Sequence, residues 1–295
     1  GGVWKSTDNG VNWTLLPGTQ NFWNVSRVLC DAAGNLYVAT VGSGSGIQRS
    51  TDGGATWTNI TPTLPAGTST RVTEMRLSST GRLHIVCGYY NTAVAAAGHF
   101  FTDNPATVTG ATWLTPITTY PTQYNVELTV VGNTLYALPA NASFQTPTVY
   151  MSTDGGLNWN ALPQNLGGGS EPTINAGQGW YDLAIGADPS NPDIVIAGGL
   201  NFYRSENGGA SWSQITRWVG TSLNYVHADH HTVVWNGSQV LLGTDGGIFY
   251  SNNNGASFID KNVGVRTKQF YACAIHPTQT NYFLAGAQDN GTHQL

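Results

Sequence analysis

An eight-residue pattern, Ser-x-Asp-x-Gly-x-x-Trp, recurs along this chain and limits its fold more than any other feature. It reads STDNGVNW from Ser6, STDGGATW from Ser50, STDGGLNW from Ser152, SENGGASW from Ser205 and SNNNGASF from Ser251. A degraded copy, FTDNPATVTGATW, runs from Phe101 to Trp113. The copies start at 6, 50, 101, 152, 205 and 251, so the gaps are 44, 51, 51, 53 and 46 residues. A period of this size implies stacked supersecondary units rather than one irregular domain. Locally the pattern spells a turn. An Asp or Asn side chain accepts hydrogen bonds from backbone N–H groups just ahead of it. The glycine allows a positive φ, and the closing aromatic starts a strand and brings apolar surface with it. Asp8, Asp52, Asp103 and Asp154, with Asn207 and Asn253 in two copies, are therefore expected to be structural clasps.

Each period contains four short strand-like segments rich in Val, Ile, Tyr, Phe and Trp, punctuated by Gly, Asn and Pro. In the fourth unit they are WYDLAIGAD, IVIAGG, NFYRSE and WSQIT. No stretch has a helical period. Four strands per unit predict an all-β fold, a β-propeller of four-stranded blades. With strands lettered A to D from the channel outward, the clasp lies between C and D. Residues 1–295 then hold about six blades' worth of strands, as a single propeller domain or arc. Five complete blades are flanked by a C–D half blade at the start and an A–B half blade at the end. The opening on GGVWKSTDNG, inside a repeat, suggests an internal piece of a longer protein, with any signal peptide outside it.

Composition narrows the partners. A net charge of -5 with only 11 Lys and Arg argues against nucleic acid. No apolar run of about 18 residues is present to insert in a membrane. Cys30, Cys87 and Cys273 are scattered and odd in number, which predicts buried small hydrophobes rather than a disulfide framework or zinc site.

Strand direction alternates, so A–B turns and clasps share one rim. The opposite rim carries the B–C loops 88–99 and 139–148 and the D–A loops 61–70, 164–179 and 216–225. Long loops on a rigid scaffold usually carry function. Aromatics on this rim are candidate ligand-binding groups: Tyr89, Tyr90, Phe144, Trp180, Trp218 and Tyr225, with Tyr120, Phe22 and Trp23 as further exposed candidates and His227 beside them. Four acids fall on the same rim: Asp182, Asp229, Asp245 and Asp289. A pair of them, one protonated and one ionised, is the equipment of an inverting glycosidase, which spaces its carboxyls by roughly 6.5–9.5 Å. The ordinary alternative is that they tie down loops. His227, Asp229 and His231 alternate, so on a strand they share a face and form a candidate metal set; the alternative is a hydrogen-bonded polar patch. Calcium near Asp245, Gly246 and Gly247 is the one cofactor considered; otherwise none is expected.

The clasp resembles the Asp-box, or BNR, repeat found in sialidases, xyloglucanase-type glycoside hydrolases and sortilin-like receptors. Sialidases carry an Arg-Ile-Pro motif that this chain lacks. The segments GQGWYDLAIGADPSNPDIVIAGG, YVHADHHTVVW, LLGTDGGIFYS and AGAQDNGT look closer to xyloglucanase-like and sortilin-like secreted bacterial proteins. That resemblance implies a secreted or cell-surface protein, in some bacteria carried by the type IX route. Three functions follow: a glycan- or protein-binding adhesion module, a glycoside hydrolase cleaving a β-glucan by inversion with paired aspartates, or a structural segment or cargo domain of a large exported surface protein.

Overall fold

The computed structural model describes residues 1–42, 44–88, 98–121, 124–167, 169, 172–220, 223–264, 269–275, 278 and 283–294. Apart from one short parallel pair, these residues form antiparallel sheets in strict chain order, as a propeller requires. Blade I comprises Val25–Cys30, Leu36–Thr40, Gly46–Ser50 and Thr58–Asn59. Blade II has Val72–Leu77, Leu83–Cys87 and Gly98–Thr102, with its outermost strand reduced to one bridge from Phe101 to Leu114. Blade III is Val126–Val131, Thr134–Pro139, Thr148–Ser152 and Asn160–Pro163. Blade IV is Ala184–Asp188, Asn191–Gly198, Phe202–Ser205 and Ser213–Gln214. Blade V is His230–Asn236, Gln239–Thr244, Gly247–Ser251 and Ile259–Asp260.

The total of about six blades' worth is corrected to five blades; the described residues flank them with incomplete sheets, and blade II lacks a full outer strand. A two-stranded sheet, Trp4–Lys5 with Thr14–Leu15, precedes them. A sheet of Phe270–Ile275, Phe283–Ala287 and Thr292–Gln294 follows. The last strand was not expected, because THQ is too short and polar to show a strand pattern. A parallel pair, Thr216–Arg217 with Asn224–Tyr225, also lies unforeseen in the D–A loop after blade IV.

The core lies between blades, and strand alternation explains how. Along Leu135–Leu138, Leu135 and Ala137 face the cluster shared with blade II, around Val86, Tyr120 and Trp159. Tyr136 and Leu138 face the opposite cluster, shared with blade IV, around Leu183, Ile185, Val195 and Trp212. Both faces of a central blade are thus buried, so its strands read as nearly continuous apolar runs. Inner strands of successive blades pack side by side in order. On them Arg27 of blade I, Glu74 and Arg76 of blade II and Glu127 of blade III form a network across the inner strands. Arg27 Nε lies 3.1 Å from Glu74 Oε1, Arg76 Nη1 lies 3.0 Å from the same oxygen, and Arg27 also pairs with Glu127. Burial pushes both carboxyls up, but Arg76 and Arg27 more than offset it at Glu74 and hold it down at about 2. Glu127 stays well above the usual range.

The clasps are built from side chain to backbone. Ser152 Oγ donates to Asp154 Oδ1 at 2.7 Å and accepts from Gly156 N at 2.9 Å. Asp154 Oδ1 accepts from Leu157 N and Asn158 N, and Asp154 Oδ2 from Asn158 Nδ2. Gly155 and Gly156 sit at φ of 69° and 84°. Asp8 and Asp52 repeat the scheme. Asn207 and Asn253 keep the Oδ1 half and turn Nδ2 onto Ser211 and Ser257. Asp103 differs: without a serine two residues earlier, it pairs with Arg82 at 2.6 Å. Arg82 also donates to Gly155 O of the next clasp, and Gly155 N, Gly208 N and Asn254 N donate to the carbonyls of Asn133, Asp193 and Ser238, in or just after the A–B turns. Clasps and A–B turns therefore share one rim.

Three expectations about burial are corrected. Cys87 is buried, but Cys30 and Cys273 are exposed. Cys30 ends the inner strand of blade I at the rim, and Cys273 lies on the inner strand of the final sheet, where Phe270 and Tyr271 are exposed as well. Tyr120, expected at the surface, is buried edge-on against Trp159 at 4.8 Å. Phe22 packs edge-on against Trp57, whereas Trp23 is exposed.

Candidate functional site

The loops that position the site are tied together across the other rim. Gly179 N donates to Phe144 O, joining a D–A loop to a B–C loop. His230 N donates to Gly199 O, and Asp245 N to Asp229 O. These ties gather the ends of the inner strands of blades III, IV and V, and the final sheet joins them where His227 Nε2 meets Asp289 O and Asn290 Nδ2 donates to Asp245 O. Asp182 precedes the first strand of blade IV, Asp229 precedes that of blade V, and Asp245 and Asp289 follow the second strands of blade V and the final sheet.

The four acids expected on this rim converge. One carboxylate oxygen each of Asp229, Asp245 and Asp289 lies within 4.8 Å of the others. Asp182 is fully buried, and neither of its oxygens has a donor among the described residues. The Asp229 carboxyl faces it. Burial first, then the Asp229 charge, pushes Asp182 up to about 9. Burial, then Asp245, raises Asp229 also, and the contact with the Asp182 carboxyl, then His231, partly offsets the rise. Asp229 and Asp289 both hold a left-handed backbone, at φ of 61° and 53°. Such a conformation is uncommon outside glycine, although Asp and Asn tolerate it best.

Hydrogen bonds fix the cluster from outside. Tyr181 Oη donates to Asp245 Oδ2 at 2.8 Å, His231 Nε2 meets Asp245 Oδ1 at 2.6 Å, and Gln288 Nε2 donates to Asp289 Oδ2 at 2.6 Å. Asn290 Nδ2 donates to Asp245 O at 3.2 Å. Tyr181 and Gln288 escaped the sequence reading. Tyr181 and Trp180 both face out while Asp182 and Leu183 both face in, so strand alternation gave no signal for Tyr181.

The candidate metal set His227, Asp229 and His231 does not assemble. The first strand of blade V begins only at His230, and its register slips between His230 and Thr232, so the three never share a strand face. The two ring nitrogens of His227 face the carbonyl oxygens of Ala228 and Asp289, at 3.1 and 2.8 Å. His230, not singled out before, is buried and stacked on Phe202 with centroids 3.7 Å apart.

The aromatic candidates divide. Trp180 is 43% exposed and lies against Tyr181, 42% exposed, with centroids 5.3 Å apart; Tyr181 in turn meets the His231 ring edge-on at 5.1 Å. That strip borders the acids. Trp218 and Tyr225 are exposed on the D–A loop after blade IV, where Trp218 N is held by Asn201 Oδ1. Phe144 is half-buried edge-on against Tyr124 at 5.1 Å. Tyr89 and Tyr90 lie outside the described residues. A cleft of about 550 Å³ opens on the clasp rim, among Asp31–Asn35, Leu77–Gly81 and Asp103–Thr107, so it is not part of the acidic site.

Fold and site together define an all-β propeller with an acidic, aromatic-edged rim. Residues 1–180 match the family model described as the DUF6242 beta propeller domain, and the chain belongs to that family. It is similar to the xyloglucanase Xgh74A of Acetivibrio thermocellus, at 28% identity in a match taking in 70% of this chain and 30% of that protein. The chain thus spans well under half the length of this curated relative. Among solved structures, the GH74 xyloglucanase of Xanthomonas campestris superposes with a TM-score of 0.52 at 15% identity, covering 100% of this chain and 54% of that one. PorZ of Porphyromonas gingivalis, a bacterial surface component of the type IX secretion system, gives 0.55 at 15% identity, covering 92% and 38%. Likeness at these identities concerns the fold. No helix among the described residues is long and apolar enough to cross a membrane.

Proposed function

We propose that residues 1–295 act as one propeller arc that binds a glycan on its long-loop rim, outside the cell or at its surface. The observation that carries this is the exposed strip of Trp180 and Tyr181 beside Asp245. Flat rings take the C–H faces of a sugar, and neighbouring carboxylates accept its hydroxyl donors. The low positive charge and the likeness to a xyloglucanase support a neutral polysaccharide; the likeness to PorZ supports a surface setting. In this reading the Ser-Asp-Gly-Trp clasps are Asp-boxes with a structural role. Titration calorimetry against xyloglucan and other soluble β-glucans tests it. Saturable binding, weakened about tenfold by Trp180→Ala, is expected. Binding that ignores this substitution, or that goes to protein partners alone, sinks it.

A second reading, hydrolysis of the same polysaccharide, is favoured by the similarity to Xgh74A. Against it, Asp182 is too buried to touch a glycosidic oxygen. The nearest oxygens of the other three acids lie within 4.8 Å, closer than the roughly 6.5–9.5 Å of an inverting pair. Release of reducing ends from xyloglucan by the intact chain, lost in Asp229→Asn, would establish it.

A further inference from the structure

We infer that Asp229, Asp245 and Asp289, with the buried Asp182 carboxyl facing Asp229 from the start of blade IV, form a calcium site that ties blade V to the final sheet. This stands apart from the glycan reading, since a cation here would brace the rim whether or not a sugar binds it.

The spacing fits the ion. Oxygens that share a calcium bonded at 2.3–2.6 Å can lie up to roughly 5 Å apart, while magnesium at 2.0–2.1 Å requires about 4.2 Å or less. One oxygen each from Asp229, Asp245 and Asp289 meets the calcium limit without movement. The donors are all hard carboxylates, as calcium prefers. Independent support comes from Asp182. It is fully buried, both its oxygens lack a donor among the described residues, and it faces the Asp229 carboxyl. Asp229 Oδ1 is a further buried oxygen without a partner among them. Buried carboxylate oxygens are ordinarily satisfied, and a cation bridging these two would satisfy them. Tyr181, His231 and Gln288 already hold the outer sides of Asp245 and Asp289. Such outer partners orient ligands toward a metal.

The test uses the whole chain after dialysis against EDTA. Titration with calcium chloride alone should show one saturable site and raise the melting temperature. Terbium, a luminescent surrogate, should be sensitised by excitation of the neighbouring Tyr181 and Trp180 and displaced by calcium. Asp289→Asn, at an exposed position, and Asp229→Asn, which keeps a residue tolerant of the left-handed backbone, should each weaken calcium at least about tenfold. Both should keep the circular dichroism of the parent in EDTA. Asp260→Asn, on the outer strand of blade V, should bind as the parent does. The inference is overturned by no saturable calcium binding, by binding unaltered in both cluster variants, or by preference for magnesium.

Discussion

Replacing Asp154 tests the clasp on which the propeller depends. Its carboxylate accepts two backbone N–H bonds, from Leu157 and Asn158, as well as side-chain bonds from Ser152 and Asn158. Burial is the largest single influence and raises its pKa, but the bonds from Asn158, Ser152 and Leu157 together outweigh it and carry the value from 3.8 to about 2. At about 1.36 kcal/mol per pH unit, that drop bounds the charged form's advantage at about 2.5 kcal/mol. The site is open to solvent, so screening and competing water reduce the bound to about 1 kcal/mol. Asp154→Ala also leaves two turn N–H groups to water, much as loss of a helix cap does, for a total of about 1–2 kcal/mol. Asp154→Asn should lose less than about 0.5 kcal/mol, because Asn207 and Asn253 hold the bond from the backbone N–H four residues on. The sign with pH follows from the lowered value. The carboxylate's contribution is complete above about pH 4 and disappears as pH falls through about 2. Urea unfolding followed by tryptophan fluorescence at pH 7 and again near pH 2 measures both effects. The reasoning fails if Asn is as damaging as Ala at pH 7, or if the gap between parent and Asp154→Ala stays constant down to pH 2.

Two further outcomes are expected. Glu74→Ala leaves the Arg27 and Arg76 guanidiniums facing only Glu127, and should destabilise by about 3–5 kcal/mol in urea, with Glu74→Gln milder. His84 and His99 meet at 3.1 Å inside the core between blades II and III. Burial, then Arg82, lowers His84 to about 3, and burial, then His84, holds His99 well below its usual range. Both are therefore neutral when folded, and unfolding takes up protons below about pH 6.5, so stability should fall as pH drops from there. His99→Phe should make that fall shallower in a pH series of urea midpoints; an unchanged slope would refute the assignment.

The repeat was legible because each clasp is local. Ser, Asp, Gly and Trp lie within eight residues, and the bonds they make span two to four positions. Strand alternation was legible for the same reason, and direction alternation placed the four acids on one rim. The sequence alone thus determined the blade, the rim and the carboxylates available there. It did not show that Arg27, Glu74 and Glu127 meet, because their separations of 47 and 100 residues are closed only when blades stack. Nor did it show that His227 turns to backbone carbonyls, that the strand starts at His230, or that Asp182 is sealed from water. Those outcomes depend on how loops from blade IV, blade V and the last sheet pack over the channel. Local pattern sets what each hairpin is, and only packing between sheets decides which side chains become neighbours and what their surroundings do to their charge.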